Sequence, residues 1–235
     1  MRWNMVPDLR KQELLKQITQ SDVAYIKDLS EELGISLSTI RRDLRALEED
    51  GEIVVMRGGA VRIKNGDYDE PVARKRLINS EAKEIIAKKA AALVEDGDCI
   101  YVDSGTTTVA MLKYLPGRNI TIVSSSTQLM ENMPIKGATC ILLGGEVRDD
   151  LESVYGTLTE KMIMSMHFDK AFIGANGYIE DGAIYTYDFR EARKKEIVKD
   201  YSKTTYVLMD TSKKNKYAFS KVFELSEGIL ITEED

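Results

Sequence analysis

The chain is poor in the side chains that staple or metallate proteins: among 235 residues there are one histidine, His167, and two cysteines, Cys99 and Cys140. No pair of these has a metal-ligand spacing, so no zinc site is expected. Both cysteines lie inside apolar runs (CIYV and TCILL), which suits small core residues in a reducing compartment better than a disulfide. No apolar run approaches the ~20 residues of a membrane span, and the opening MRWNMVPDLRK has no apolar signal core. A cytoplasmic protein with no membrane partner is the expectation. The phosphate-loop pattern GxxxxGK[ST] and the dinucleotide pattern GxGxxG are both missing, so nucleotide binding is not favoured and no cofactor is expected.

What is present is ordinary globular composition, 43% hydrophobic and 31% charged, with a formal net charge of -6. That charge is unevenly placed. Residues 1–64 hold 11 Lys+Arg against 11 Asp+Glu, whereas the rest hold 22 against 28. Attraction to phosphate acts over roughly 8 Å at physiological salt, so a cationic face on a neutral small domain is compatible with DNA binding by an acidic chain.

The N-terminal segment has such a face. Residues 8–19 place Leu14, Leu15 and Ile18 on one helical side; a short second helix follows with Ile26, Leu29 and Leu33, and Gly34 breaks it. In SLSTIRRDLRALEEDG, residues 36–51, Ile40, Leu44 and Leu47 form the next apolar stripe, with Ser36 or Ser38 as N-cap. The outer face then carries Ser38, Thr39, Arg41, Arg42 and Arg45. EIVVMRGGAVRI reads as a hairpin or wing turning at Gly58-Gly59. Helix, glycine turn, helix and wing make a DNA-reading role for Ser36, Ser38, Thr39, Arg41, Arg42, Arg45 and Arg57 the favoured reading, since arginine both clamps phosphate and reads guanine. The competing reading is a solvated helix face on which Arg41 and Arg45 pair with Asp43, Glu48 and Glu49.

Residues 1–64 are thus read as a winged helix-turn-helix domain, 65–76 as a polar linker, and 77–235 as a second domain. There the runs CIYV, ITIVS, CILLG, KAFIGA, TYVLM and GILIT alternate with helical stretches, which implies a mostly parallel, doubly wound α/β sheet. NSEAKEIIAKKAAALV is its first helix, capped by Asn79 or Ser80. Ligands of open α/β sheets sit outside the carboxyl ends of the strands, so the polar strand ends are expected to converge on one crevice. Asp103, Ser104, Gly105, Thr106, Thr107 and Thr108 lie between a strand and a helix, a setting for phosphate or for simple helix capping. Lys213, after a later strand, would add a cation. Lys194 would do so too, unless it lies on a solvated helix face.

Several of these segments resemble the DeoR family of bacterial transcriptional regulators, in which a winged helix-turn-helix precedes a sugar-phosphate sensor domain. SLSTIRRDLRALEEDGEIVVMRGGA resembles the family's N-terminal signature; GDCIYVDSGTTT, ILLGGEVR, SVYGTLTEKMI, FDKAFIGANGY, the step from Glu191 to Lys194 and LMDTSKKNKYAF resemble successive blocks of the sensor, in order, from about Arg10 to Thr232. The resemblance implies a sensor with the fold of ribose-5-phosphate isomerase. It also implies an effector site of residues 103–108 with Ser124, Ser125, Ser126, Gly144, Gly145, Glu191, Lys194 and Lys213. Arg74 and Lys83 match recurrent family positions without an assigned role. Three positions depart from the family: Arg57 where His is frequent, Lys214-Asn215 in place of Phe-Gly, and Glu233 where Asp is frequent.

The expected function is a repressor of sugar-metabolism genes, a homodimer or homotetramer on double-stranded operator DNA, controlled by a phosphorylated sugar and not an enzyme. The alternative from another class is a sugar-phosphate isomerase carrying a DNA-binding domain, with Asp103 or Glu191 and Lys213 moving the proton.

Overall fold

The structure, a computed structural model, describes residues 7–20, 24–50, 52–56, 58–63, 72–133 and 135–234. Arg57 and residues 65–71 of the expected linker lie outside the described residues. The chain divides into two compact units, residues 1–66 and 67–235.

In the first unit, α1 (Pro7–Gln20), α2 (Ile26–Leu33) and α3 (Leu37–Glu49) enclose a core of Leu14, Ile18, Leu29, Ile40, Leu44 and Leu47. The apolar spacing seen in the sequence is what points these side chains inward. Gly34 ends α2 at φ 63, a left-handed conformation that favours glycine, and Ser36 caps α3 by accepting from Thr39 N–H at 3.3 Å. Strands β1 (Ala24–Tyr25), β2 (Ile53–Val55) and β3 (Ala60–Ile63) form an antiparallel sheet in the order β1-β3-β2. The β2–β3 hairpin is the wing, with Gly58 and Gly59 both at positive φ in its turn. A buried, two-pronged ion pair from Arg10 to Asp43 joins α1 to α3; its longer contact, Arg10 Nη2 to Asp43 Oδ1, is 3.0 Å.

The second unit begins with α4 (Val72–Lys75), a helix inside the stretch expected to be linker, whose Val72 is buried. Then come α5 (Ser80–Ala92), β4 (Cys99–Val102), α6 (Thr106–Ala110), β5 (Thr121–Ser124), β6 (Thr139–Leu142), β7 (Glu146–Arg148), β8 (Ser153–Tyr155), α7 (Thr157–Met164), β9 (Phe168–Ile173), β10 (Gly177–Tyr178) and β11 (Ala183–Thr186). α8 (Phe189–Asp200), β12 (Ser202–Leu208), β13 (Ser220–Glu224) and β14 (Ile229–Ile231) complete it. Six strands pair in parallel in the order β14-β12-β9-β4-β5-β6, one for each apolar run read from the sequence. One core, with Ile86, Ala90 and Leu112, covers one face; the other, with Ile163, Phe168 and Val198, covers the opposite face.

The chain runs outward from β4 through β5 to β6, then returns to β9 on the other side of β4. The strand order therefore reverses between β4 and β9, which places a crevice at their carboxyl ends. Asn79 is the N-cap residue of α5, with φ 51, but its side chain makes no capping hydrogen bond. Its amide instead donates to Asp210 Oδ1 at 2.9 Å and Ser212 Oγ at 3.0 Å, fixing the start of α5 to the end of β12. Among the described residues no helix is long and apolar enough to cross a membrane, and both cysteines are free thiols.

Candidate functional site

In the first unit the hydrophobic stripe of α3 turns Arg41, Arg42 and Arg45 outward, and all three are exposed, the Arg42 side chain by 73%. Among the described residues their one ion contact is Arg42 with Asp43, at 3.9 Å. Asp43 is occupied by Arg10, and Glu48 accepts from Val55 N–H at 3.0 Å, so these acids tie the fold together instead of neutralising the arginines. Ser36, Ser38 and Thr39 sit at the exposed start of α3, where Ser36 Oγ lies 3.0 Å from Ser38 Oγ and 2.9 Å from Thr39 Oγ1.

In the second unit a cleft of about 810 Å³, measured out to open solvent, lies at the β4–β9 reversal. β4 and the start of α6 contribute Asp103, Ser104, Gly105, Thr106 and Thr107; β9 is followed by Gly174 and Asn176; β12 by Asp210 and Lys213. α8 adds Glu191 and Lys195, while α4 and α5 add Lys75 and Lys83. Lys83 Nζ also donates to the Lys75 carbonyl, tying the end of α4 to α5. That contact gives Lys83 a structural place that its sequence position alone did not.

The floor of the cleft is a buried charge network. Lys195 Nζ donates to Asp103 Oδ2 at 2.6 Å and Glu191 Oε2 at 3.3 Å; Gly174 N–H donates to the same Asp103 oxygen at 3.2 Å. Lys194 Nζ donates to Ser153 Oγ at 2.7 Å, Val154 O at 3.2 Å and Glu191 Oε1 at 2.9 Å. Burial alone would raise the Glu191 pKa, but Lys194 and Lys195 outweigh it and hold the carboxyl at about 2. Burial would likewise lower that of Lys195, but Asp103 and Glu191 hold it above its ordinary value.

The structure brings Asp103, Ser104, Gly105, Thr106, Thr107, Glu191 and Lys213 together, and places seven other expected effector residues away from the cleft. Lys194, 1% exposed, lies behind Glu191; of the two, Lys195, missed in the sequence, is the α8 lysine that lines the cleft. On a helix, positions i, i+3 and i+4 share a face, so Glu191 pairs with both lysines and the sequence does not say which one faces outward. Thr108 is spent on the loop itself, its one hydroxyl hydrogen shared between Asp103 O at 2.8 Å and Gly105 O at 2.7 Å. Ser124 bonds Val102 O, Ser125 pairs with the Tyr101 hydroxyl, and Ser126 caps a 3-10 turn. These three serines are fully buried because the β7–β8 hairpin closes over the end of β5, with Val154 N–H donating to Ser125 O at 2.7 Å. Gly144 and Gly145 serve packing: Thr159 Oγ1 donates to Gly144 O, and a Cβ on Gly145 would fall 2.1 Å from Thr159 Oγ1. Lys214 turns to Glu180 at 2.7 Å, and Asn215 adopts φ 56, a left-handed conformation that asparagine tolerates. Glu233 accepts from Thr211 N–H at 3.0 Å and Thr211 Oγ1 at 2.6 Å, steadying the turn that carries Lys213.

Two known family models match the chain in succession. The DeoR-like helix-turn-helix domain matches residues 10–65 and the DeoR C terminal sensor domain matches residues 78–234. The chain is 34% identical over 229 residues to the uncharacterised HTH-type transcriptional regulator FruR of Bacillus subtilis, covering 97% of this chain and 91% of that one. It is 33% identical over 223 residues to a lactose phosphotransferase system repressor of Staphylococcus epidermidis, covering 93% and 88%. Among solved structures, ribose 5-phosphate isomerase A of Methanocaldococcus jannaschii is similar at a TM-score of 0.43 and 20% identity, over 58% of this chain and 55% of that one. With both of its units matched in order and nearly its whole length shared with such regulators, the chain belongs to the DeoR family of transcriptional regulators.

Proposed function

We propose that the protein is a repressor of sugar-metabolism genes that binds operator DNA through α3 and is controlled by a phosphorylated sugar in the β4–β9 cleft. The observation that carries this reading is the make-up of the cleft. Lys75, Lys83 and Lys213 line it together with Ser104, Thr106 and Thr107, a set of cationic and hydroxyl-bearing residues suited to a phosphate. Asp103, Asn176 and Glu191 supply the hydrogen-bonding groups that sugar hydroxyls need. The names of relatives, a lactose phosphotransferase system repressor among them, point the same way.

The isomerase alternative asks for a base near neutrality. Glu191, held at about 2, is a feeble base, and Lys195 is held protonated, so these groups suit recognition better than proton transfer. Operator binding calls for a homodimer or homotetramer, because one short helix touches too few bases to select a site in a genome. The working compartment is then the cytoplasm, where the DNA is.

The test is fluorescence anisotropy of labelled operator with full-length protein, with and without pentose and hexose phosphates, and NMR of the same mixtures for turnover. Release or tightening of DNA without turnover supports the reading. Turnover of a sugar phosphate, or DNA binding indifferent to all of them, contradicts it.

A further inference from the structure

The floor of the cleft carries an asymmetry that goes further than phosphate binding. Asp103 is 0% exposed and lines the cleft. Its Oδ2 is fully engaged by Lys195 and Gly174 N–H, whereas its Oδ1 has no hydrogen-bond partner among the described residues. A buried carboxylate oxygen without a donor is costly, and the cost is relieved by a group that brings a hydrogen and no negative charge. The nearby cations do not change this. Lys194 and Lys195 are both committed to the two carboxylates, Asp103 and Glu191, so their charge is already matched, and an anion placed against Asp103 Oδ1 meets a carboxylate oxygen with no donor between them. The other cleft lysines, Lys75, Lys83 and Lys213, come from α4, α5 and the segment after β12, and Lys83 Nζ donates to the Lys75 carbonyl.

Resting on the reading that the cleft binds a phosphomonoester, we propose that Asp103 selects the other end of the ligand: its free oxygen accepts a hydroxyl proton, so the cleft takes sugar or polyol monophosphates and rejects those ending in a carboxylate or second phosphate. Specificity of this kind arises from the penalty on the wrong partner, an unpaired acceptor or opposed charges, more than from added attraction for the right one.

The experiment is calorimetry on the full chain with matched ligands. Glucitol 6-phosphate and 6-phosphogluconate differ at C1, hydroxymethyl against carboxylate; fructose 6-phosphate and fructose 1-phosphate are each compared with fructose 1,6-bisphosphate. In the pair that binds, the hydroxyl-ended member is expected to bind about 10-fold or more tightly than its acid-ended counterpart. Asp103→Asn removes the charge while keeping the shape and should bring that ratio towards one. Lys213→Ala should weaken both members alike and leave the ratio unchanged. Equal or reversed affinities in the wild-type chain overturn the inference whether or not Asp103→Asn folds, and so does an unchanged ratio in a folded Asp103→Asn. If no phosphomonoester binds the wild-type chain at all, the phosphomonoester reading itself falls, and this inference with it.

Discussion

Lys195 Nζ lies 2.6 Å from Asp103 Oδ2, an ion pair that joins α8 to the end of β4 beneath the cleft. Both side chains are buried, so each charge leans chiefly on the other, with Glu191 also on Lys195 and Gly174 N–H also on Asp103. Removing one partner is therefore worse than removing both. Lys195→Met is expected to cost about 3–5 kcal/mol of stability, measured by urea unfolding, and the double change Lys195→Met with Asp103→Asn less than the sum of the two single changes. Additive effects would mean that the pair carries no coupling.

Acid sensitivity should follow from Glu191. Its pKa when folded, about 2, lies below the ordinary 4.5, so the folded state favours the ionised carboxylate. Its contribution is fully present above the unfolded value and is lost as pH falls through the range from 4.5 to about 2. Thermal denaturation across that range should show a steeper loss of stability in wild type than in Glu191→Gln. Parallel curves would remove Glu191 from the account.

The arginines of the first unit separate into two roles. Arg41→Ala and Arg42→Ala are expected to leave the melting temperature within a degree or so, as exposed substitutions do, and to lower specific operator affinity by roughly 1–3 kcal/mol each. Arg10→Ala should do the reverse to stability, leaving Asp43 buried without its partner. Wild-type operator affinity in folded Arg41→Ala and Arg42→Ala would show that the α3 face does not read DNA.

At the phosphate end, Thr106→Ala and Lys213→Ala should each weaken sugar-phosphate binding in calorimetry, the lysine more, since a charge-assisted contact is worth about twice a neutral one. Unchanged binding in both would place the phosphate elsewhere.

Much of the fold was legible because strands and helices have strong periods. Each of the six apolar runs became a strand of the parallel sheet, and Ile40, Leu44 and Leu47 pointed inward as their spacing required. The site was only partly legible. Local sequence located polar strand ends but not the point where the sheet reverses, which depends on strand order; hence Ser124, Ser125 and Ser126, beside β5, lie beneath a hairpin instead of in the cleft. β7 and β8 are three residues each, too short for a period to register. Lys195 was hidden by its neighbour Lys194, because one turn of helix brings both to Glu191 and only packing decides which lines the cleft. Val72 looked like part of a linker because its flanks are polar, and only burial shows that α4 belongs to the second unit.

The central claim is that occupancy of the cleft and occupancy of the operator are linked. The direct measurement is a linkage pair on full-length protein: operator affinity with and without the sugar phosphate that binds most tightly in calorimetry, and affinity for that sugar phosphate with and without operator. The account predicts the same factor in both directions, about 5- to 150-fold for a coupling of 1–3 kcal/mol. Operator affinity that stays the same at saturating sugar phosphate, in a protein that binds both ligands, would contradict it.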